Sequence, residues 1–222
     1  PDFHACGSAL PAIYKELTLA EFRDGHYFHY IPPTLDRAKP SPALVFLHGS
    51  GGNFKVYAWL LSKVADQVGC SVIAPTFGFG NWERRGAYEA ITAAIADAGK
   101  HAAIDPDHIH LMGLSNGGKG VCLAESEPGP SFRSLIFLSG LMHERVTPET
   151  LAARRKDRPV FVLSGGSDDR VPWDYVAGYA ERFEKAGMRV SVRRFEGEDH
   201  FLFFRRHEEV LTEIVAWLEM QQ

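Results

Sequence analysis

The sequence has few cysteines, no long apolar run and no excess of basic charge. Its three cysteines are an odd number without a Cys-x-x-Cys spacing, which argues against a disulfide framework and a structural zinc site. No stretch approaches the roughly 18 uninterrupted apolar residues of a membrane span. The formal net charge is −4, and the lysines and arginines are scattered rather than clustered on one face. These absences predict a soluble protein that neither crosses a membrane nor binds nucleic acid.

In its other proportions the composition is that of an ordinary globular protein. A chain of 222 residues, 45% of them hydrophobic, is long enough to bury a sizeable core in one domain. No repeat, low-complexity tract or linker divides the chain, so residues 1–222 are expected to form a single domain. Cys70 and Cys122 stand in apolar surroundings and are expected to be buried thiols. The residues leave open the compartment (cytoplasmic or secreted), the oligomeric state, and whether the chain is a mature form or part of a longer protein.

Short apolar runs alternate with segments of helical spacing. Several runs are continuously apolar, as a strand that is covered on both faces requires. Two of the helical segments stop before Gly69 and Gly99, and glycine commonly ends a helix. The alternation predicts an α/β fold with a mostly parallel sheet of about eight strands and helices on both faces. The predicted core strands are residues 43–49, 71–75, 108–113, 134–140, 159–166 and 189–197.

The N-terminal part has a different pattern. Residues 13–18 and 26–32 flank the pair Asp24-Gly25, which is favourable for a tight turn. This pattern predicts an antiparallel hairpin at the edge of the sheet.

The motif G-x-S-x-G occurs once where a predicted strand turns into a predicted helix. Its residues are Gly113, Ser115 and Gly117. Glycines at these places leave room for a very tight turn, which would present the Ser115 hydroxyl at its tip. The start of the following helix would direct its N–H groups towards a developing oxyanion. The motif therefore makes Ser115 a candidate nucleophile, although glycine-flanked serines also occur in ordinary turns.

A serine hydroxyl needs a general base within hydrogen-bond reach. Of the ten histidines, His200 stands apart, because it follows the last predicted strand and precedes the last predicted helix. That place lies at the carboxyl edge of the sheet, where reactive groups of such folds gather. A carboxylate should orient the imidazole, and either Asp168 or Asp169 after the penultimate strand could do so. The order Ser, Asp, His is the one expected for this architecture.

These motifs resemble those of small serine hydrolases of the α/β-hydrolase fold, nearest to lidless carboxylesterases, acyl-protein thioesterases and dienelactone-hydrolase-like esterases. The resemblance rests on LHGSGG, GLSNGG, SGGSDDRVP and EDHF, and covers nearly the whole chain. In those families the acid commonly stands in a D-x-x-V-P pattern, which Asp168, Val171 and Pro172 match, so the resemblance favours Asp168 over Asp169. Dienelactone hydrolases themselves use a cysteine nucleophile. The serine at this elbow moves the expectation towards ordinary ester hydrolysis.

The resemblance also implies an oxyanion hole. Its two donors would be the backbone N–H groups of Ser50, in the loop after the first core strand, and of Asn116, after the nucleophile. His48 is expected to brace that loop rather than to take part in catalysis. No cofactor or metal is suggested: Glu198 and Asp199 are adjacent and point apart, and the glycines near residue 50 do not match a nucleotide-binding fingerprint.

The expected substrate is a small-molecule ester. In this fold a large lid usually follows the strand after the nucleophile helix, and residues 141–158 leave room there for only one short helix. The expected activity is therefore that of a serine carboxylesterase with an open site for short-chain soluble esters. The alternatives are a peptidase or a polymer- or aryl-ester-specific hydrolase with the same triad and, more remotely, a non-catalytic binding protein. Five residues could equally line the pocket or pack in the core: Trp82, Leu141, Met142, Trp173 and Phe201.

Overall fold

The fold is described from a computed structural model, for residues 25–129 and 131–221. The strands of this part are β1 (Tyr27–Tyr30), β2 (Ser41–Leu47), β3 (Ser71–Pro75), β4 (Ile104–Leu114), β5 (Ser134–Leu138), β6 (Pro159–Gly165) and β7 (Arg189–Phe195). The helices are α1 (Lys55–Val68), α2 (Ala87–Ala98), α3 (Gly117–Ser126), α4 (Pro148–Arg154), α5 (Trp173–Lys185), α6 (Leu202–Arg205) and α7 (His207–Glu219).

The strands form one sheet in the order β1-β3-β2-β4-β5-β6-β7. Strand β1 runs antiparallel to β3, and the other neighbouring pairs are parallel. The α/β class, the mostly parallel sheet and the antiparallel N-terminal edge are thus confirmed. Because the strands β2 to β7 are parallel, their carboxyl ends lie along one edge, and the loops after them meet there.

The sheet is buried between two layers of helices. Along β2 the side chains of Leu44 and Phe46 pack into the layer of α1, α6 and α7, whereas Val45 and Leu47 pack into the layer of α2 to α5. This alternation is the period of two that a strand imposes on its side chains. All five core residues of β2 from Ala43 to Leu47 have no solvent exposure, which explains the uninterrupted apolar run in the sequence.

The predicted strand count and one strand boundary need correction. The sheet of the described residues has seven strands rather than about eight, and the first arm of the predicted hairpin, residues 13–18, lies outside these residues. Strand β4 begins at Ile104, before the predicted start at residue 108. Its pairing with β2 shifts register between Ser41 and Ala43. The extra residues include Pro106, which lacks the N–H that a regular ladder uses.

The two glycine helix ends are found at the predicted places, for different reasons. Gly69 has φ 72°, and its N–H bonds to the Ala65 carbonyl, so the left-handed conformation that glycine favours ends α1. Gly99 after α2 has φ −60°, which any residue adopts. Between residues 25 and 221, with residue 130 left out, no helix is long and apolar enough to cross a membrane.

Candidate active site

Ser115 lies at the tip of a tight turn between β4 and α3. Its φ is 52°, in the left-handed region that non-glycine residues rarely adopt. The turn is held from both sides: the Ser115 N–H donates to the Leu138 carbonyl at 3.1 Å, and the Ser115 carbonyl accepts from the Leu141 N–H at 3.0 Å. Both partners belong to the end of the neighbouring strand β5 and the loop after it. The strained backbone of Ser115 is therefore fixed by the adjacent strand.

The two motif glycines are required by close backbone approach. A Cβ on Gly113 would overlap the carbonyl of Gly117, and a Cβ on Gly117 would overlap the carbonyl oxygen of Leu47 in β2. In both cases the obstacle is backbone, which cannot rotate away as a side chain does. Helix α3 can therefore start directly against the sheet only if both positions lack a side chain.

The His200 imidazole lies between Ser115 and Asp168. Ser115 Oγ is 3.1 Å from His200 Nε2, and His200 Nδ1 is 2.8 Å from Asp168 Oδ2. A carboxylate only accepts hydrogen bonds, so Nδ1 carries the proton of the neutral ring, and Nε2 is left to accept from the Ser115 hydroxyl. The sequence motifs that contain these three residues are therefore brought together in one hydrogen-bonded line.

Asp168 rather than Asp169 contacts the histidine. The Asp168 side chain is fully buried, and its second oxygen, Oδ1, accepts from the N–H groups of Arg170 at 2.9 Å and Val171 at 2.8 Å. Asp169 is exposed to solvent. The D-x-x-V-P segment thus folds back on its own first residue, so that one carboxylate oxygen is held by backbone and the other is presented to the imidazole.

Ser50 and Asn116 lie next to each other, and Asn116 directly follows Ser115. The side-chain amide of Asn116 donates to the Ser50 hydroxyl at 2.8 Å. Ser50 follows β2, and Asn116 is the N-cap of α3. The two residues whose N–H groups were predicted to form an oxyanion hole are thus adjacent across a gap of 66 residues in the sequence.

His48 braces the loop that carries Ser50, as predicted. It is fully buried, its Nδ1 bonds the Gly49 carbonyl at 2.8 Å, and its Nε2 accepts from the Phe77 N–H at 3.2 Å. The pKa of His48 is lowered to about 4, mainly by burial; the hydrogen bond to Gly49 raises it in part, and the nearby His26 lowers it. His48 is therefore neutral near pH 7 and ties the β2 loop to the loop after β3.

The residues considered for pocket lining divide into buried and exposed ones. Trp82 is 1% exposed, and its indole N–H donates to the His48 carbonyl at 2.8 Å, so it packs beneath the loop. Met142 is buried, and Leu141 and Trp173 are half-buried. Phe201, by contrast, is 43% exposed directly beside His200.

Sequence reasoning missed Tyr175. Its hydroxyl accepts from the Met142 N–H at 2.8 Å, and so ties the start of α5 to the segment after β5. The local sequence at the start of α5 does not predict this contact, because the partner of Tyr175 lies 33 residues away.

The cysteines offer no alternative nucleophile among the described residues. Cys70 and Cys122 are both buried, as predicted, and burial raises the pKa of each thiol to about 12. A thiol becomes a strong nucleophile only as its thiolate. Cys6 lies outside the described residues.

Several solved structures of esterases share this fold. Esterase PE8 superposes with a TM-score of 0.69 at 21% identity, over 90% of this chain and 99% of that one. Est1E from Butyrivibrio proteoclasticus gives 0.67 at 16% identity, over 88% of this chain and 93% of that one. The butyrate-bound Est2 of the Planctomycetes species Thermogutta terrifontis gives 0.68 at 17% identity, over 98% of this chain and 96% of that one. At these identities the likeness shows the fold.

The family follows from the sequence itself. No curated protein matches the chain, but residues 73–219, more than half of it, match the model of the dienelactone hydrolase family. The matched range contains Ser115, Asp168 and His200 and omits the Ser50 loop. The chain is a carboxylic ester hydrolase that belongs to the dienelactone hydrolase family.

Proposed function

We propose that the chain is a serine carboxylesterase that hydrolyses short-chain, water-soluble esters through an acyl-enzyme intermediate. In this proposal residues 1–222 act as one domain, with Ser115 as nucleophile, His200 as general base and acid, and Asp168 as the group that orients the imidazole. The observation that carries the proposal is the line of two hydrogen bonds, 3.1 Å and 2.8 Å long, that ends on a strained serine at a strand-to-helix turn.

Acylation begins when Ser115 Oγ attacks the ester carbonyl. His200 Nε2 takes the hydroxyl proton as the new C–O bond forms, and the buried carboxylate of Asp168 stabilises the resulting imidazolium. The same Nε2 then gives the proton to the departing alkoxide oxygen, and the C–O bond to the alcohol breaks. Water, activated by the neutral imidazole, hydrolyses the acyl-serine in the reverse sequence of proton transfers.

The developing oxyanion needs donors that are already in place. In this proposal the backbone N–H groups of Ser50 and Asn116 supply them, since Asn116 directly follows Ser115 and its side chain bonds Ser50. Loss of one such donor typically costs about 3 to 4 kcal/mol of transition-state stabilisation. The Asn116 N–H also stands at the start of α3, where the helix dipole favours negative charge.

The preference for short chains rests on the lack of room for a cover. Between β5 and β6 the chain forms only the seven-residue helix α4, and no insertion there is long enough to wall a deep acyl tunnel. Beyond the pocket each added methylene would stay in water and forgo roughly 0.8 kcal/mol of burial. The butyrate bound to Est2 of Thermogutta terrifontis supports the same reading by analogy.

The test is a substrate panel. The kcat/KM of p-nitrophenyl esters from acetate to palmitate should be greatest at about two to six acyl carbons and decline beyond, whereas peptide anilides should not be cleaved. Ser115→Ala should abolish turnover with the thermal unfolding curve unchanged. A maximum at twelve carbons or more would contradict the chain-length proposal, and cleavage of anilides at a comparable rate would favour a peptidase.

A further inference from the structure

Exposed aromatic side chains are concentrated beside the candidate active site. Among the described residues three aromatic side chains are largely exposed to solvent: Tyr175, Phe201 and Phe204, at 41%, 43% and 39%. Phe201 and Phe204 follow His200, and Tyr175 follows the Asp168 loop. Large exposed apolar side chains that cluster at one place commonly mark a binding surface.

Phe201 is held in place by a cation. The guanidinium carbon of Arg170 lies 4.8 Å from the centre of the Phe201 ring, within the range of a cation–π contact. Arg170 belongs to the Asp168 loop, because its N–H bonds Asp168 Oδ1. The Phe201 ring also stands nearly perpendicular to the His200 ring, with centroids 6.2 Å apart and an interplanar angle of 81°. The Phe201 ring is thus oriented by Arg170 and lies beside the imidazole, and the residue remains 43% exposed.

Phe204 belongs to a row of rings that runs towards the Ser50 side of the site. Phe204 lies on the same short helix, α6, which starts directly after Phe201, and its ring centre is 5.7 Å from that of Tyr57. Tyr57 in turn lies 5.9 Å from Phe54, in the segment that leads from Ser50 into α1. Phe204 is the exposed end of this row, because Tyr57 is only 4% exposed.

Phe201 lies on the side from which the alcohol departs. His200 Nε2 has to reach the leaving oxygen in order to protonate it, so the alcohol part of a bound ester stands against the His200 loop. Phe201 is the next residue along that loop, and its exposed ring is the surface that a bulky alcohol meets.

We propose that Phe201, oriented by the Arg170 guanidinium, binds an aromatic ring in the alcohol part of the ester, so that benzyl-type esters are preferred to saturated esters of equal size. The inference rests on the proposed esterase function and adds the class of the alcohol to it. Two aromatic rings in an offset or edge-to-face arrangement bind each other more strongly than their buried area alone explains. The additional binding energy corresponds to about two- to tenfold in kcat/KM.

The experiment compares two unactivated esters that differ in the ring alone. Benzyl acetate and cyclohexylmethyl acetate share the acyl group, the size and the type of leaving oxygen, and their hydrolysis is followed by titration of the released acid. The ratio of their kcat/KM values is expected to be about five in the wild-type protein and close to one in Phe201→Leu. Phe201→Tyr retains a ring and should keep the ratio near the wild-type value.

Two arginine variants test whether the ester preference depends on the cation that orients Phe201 or merely on the loss of one positive charge. Arg170→Gln should lower the ratio, because the ring loses the cation that orients it. Arg193→Gln is the matched control: its guanidinium covers the Phe195 ring at 5.4 Å and pairs with Glu213 of α7, outside the candidate site. Its ratio should equal that of the wild type.

The results that would overturn this inference differ from those that would overturn the esterase proposal. A wild-type ratio near one, or a Phe201→Leu variant in which both esters slow equally, would overturn the inference, since a purely bracing role of Phe201 affects both esters alike. Hydrolysis of p-nitrophenyl acetate with no hydrolysis of benzyl acetate would also overturn it and leave the esterase proposal intact. Failure to hydrolyse any of the three esters would overturn both.

Discussion

The side-chain amide of Asn116 donates a 2.8 Å hydrogen bond to the hydroxyl of Ser50. This contact joins the loop after β2 to the start of α3 and spans 66 residues of sequence. The backbone N–H groups of the same two residues are the proposed oxyanion donors. The side-chain contact therefore fixes the separation of the two donors before a substrate binds, which is the condition under which such donors are effective.

Removal of this side-chain contact is expected to reduce kcat more than it changes KM. Asn116→Ala keeps the backbone N–H but frees the Ser50 loop, and one hydrogen bond of this kind corresponds to about two- to tenfold in rate. Steady-state kinetics with p-nitrophenyl butyrate measure both constants. Ser50→Ala should give the same loss, and the double variant no further loss. Additive losses, or an increase in KM alone, would contradict a positioning role.

Substitution of Asp168 should lower kcat/KM far more than substitution of the adjacent Asp169. Asp168→Asn removes the acceptor that holds His200 Nδ1–H, and is expected to lower kcat/KM by about 10³- to 10⁴-fold, whereas Asp169→Asn should stay within about twofold. The reason is that Asp168 is buried against the imidazole and Asp169 is exposed. Equal losses in the two variants, measured on the same ester, would show that the carboxylate has been misassigned.

Much of this site could be predicted from local sequence, because its parts are local patterns. The turn at Ser115 needs glycines at fixed offsets, and the Asp168 segment closes a hydrogen bond on its own Val171, three residues on. The resemblance implied that Ser50 and Asn116 lie close together, but neither the hydrogen bond between their side chains nor the contact between Arg170 and Phe201 could be predicted. Each joins residues of different loops, and their separation depends on strand order and register, which periodicity alone does not fix. The early start of β4 was missed because Pro106 interrupts the strand pattern.

The same substitution, glycine to alanine, is expected to change the stability in opposite directions at Gly117 and at Gly178. Gly117→Ala places a Cβ against the Leu47 carbonyl oxygen, and is expected to lower the free energy of unfolding by about 2 to 4 kcal/mol. Gly178→Ala, in α5 with nothing within 4 Å of the added Cβ, should instead raise it by about 0.5 to 1 kcal/mol. Urea unfolding of both variants checks the pair. A Gly117→Ala protein of wild-type stability would contradict the close approach of α3 to the sheet.

Buried histidines should make the protein less stable as the pH falls. Burial lowers the pKa of His48 and of His110 to about 4, from 6.5. Between those values the unfolded chain binds protons that the folded chain does not, so the free energy of unfolding decreases as the pH falls through this window. Each residue contributes up to about 1.4 kcal/mol per pH unit there.

The variant His110→Gln isolates this effect away from the candidate site, since His110 lies on β4 and bonds Ser134 Oγ at 2.6 Å. Its free energy of unfolding should depend less steeply on pH than that of the wild type between about pH 6.5 and 4. Equal slopes in His110→Gln and the wild type would show that His110 is protonated in the folded state.

The most direct measurement is the site of covalent labelling by a fluorophosphonate, which reacts with a serine only where a base activates the hydroxyl. Mass spectrometry of the digested protein should find one adduct, on Ser115, because its Oγ lies 3.1 Å from His200 Nε2. The adduct should be absent from Ser115→Ala and form far more slowly in His200→Ala. An unlabelled wild-type protein, a label on another residue, or a rate in His200→Ala equal to that of the wild type would contradict Ser115 as the activated nucleophile.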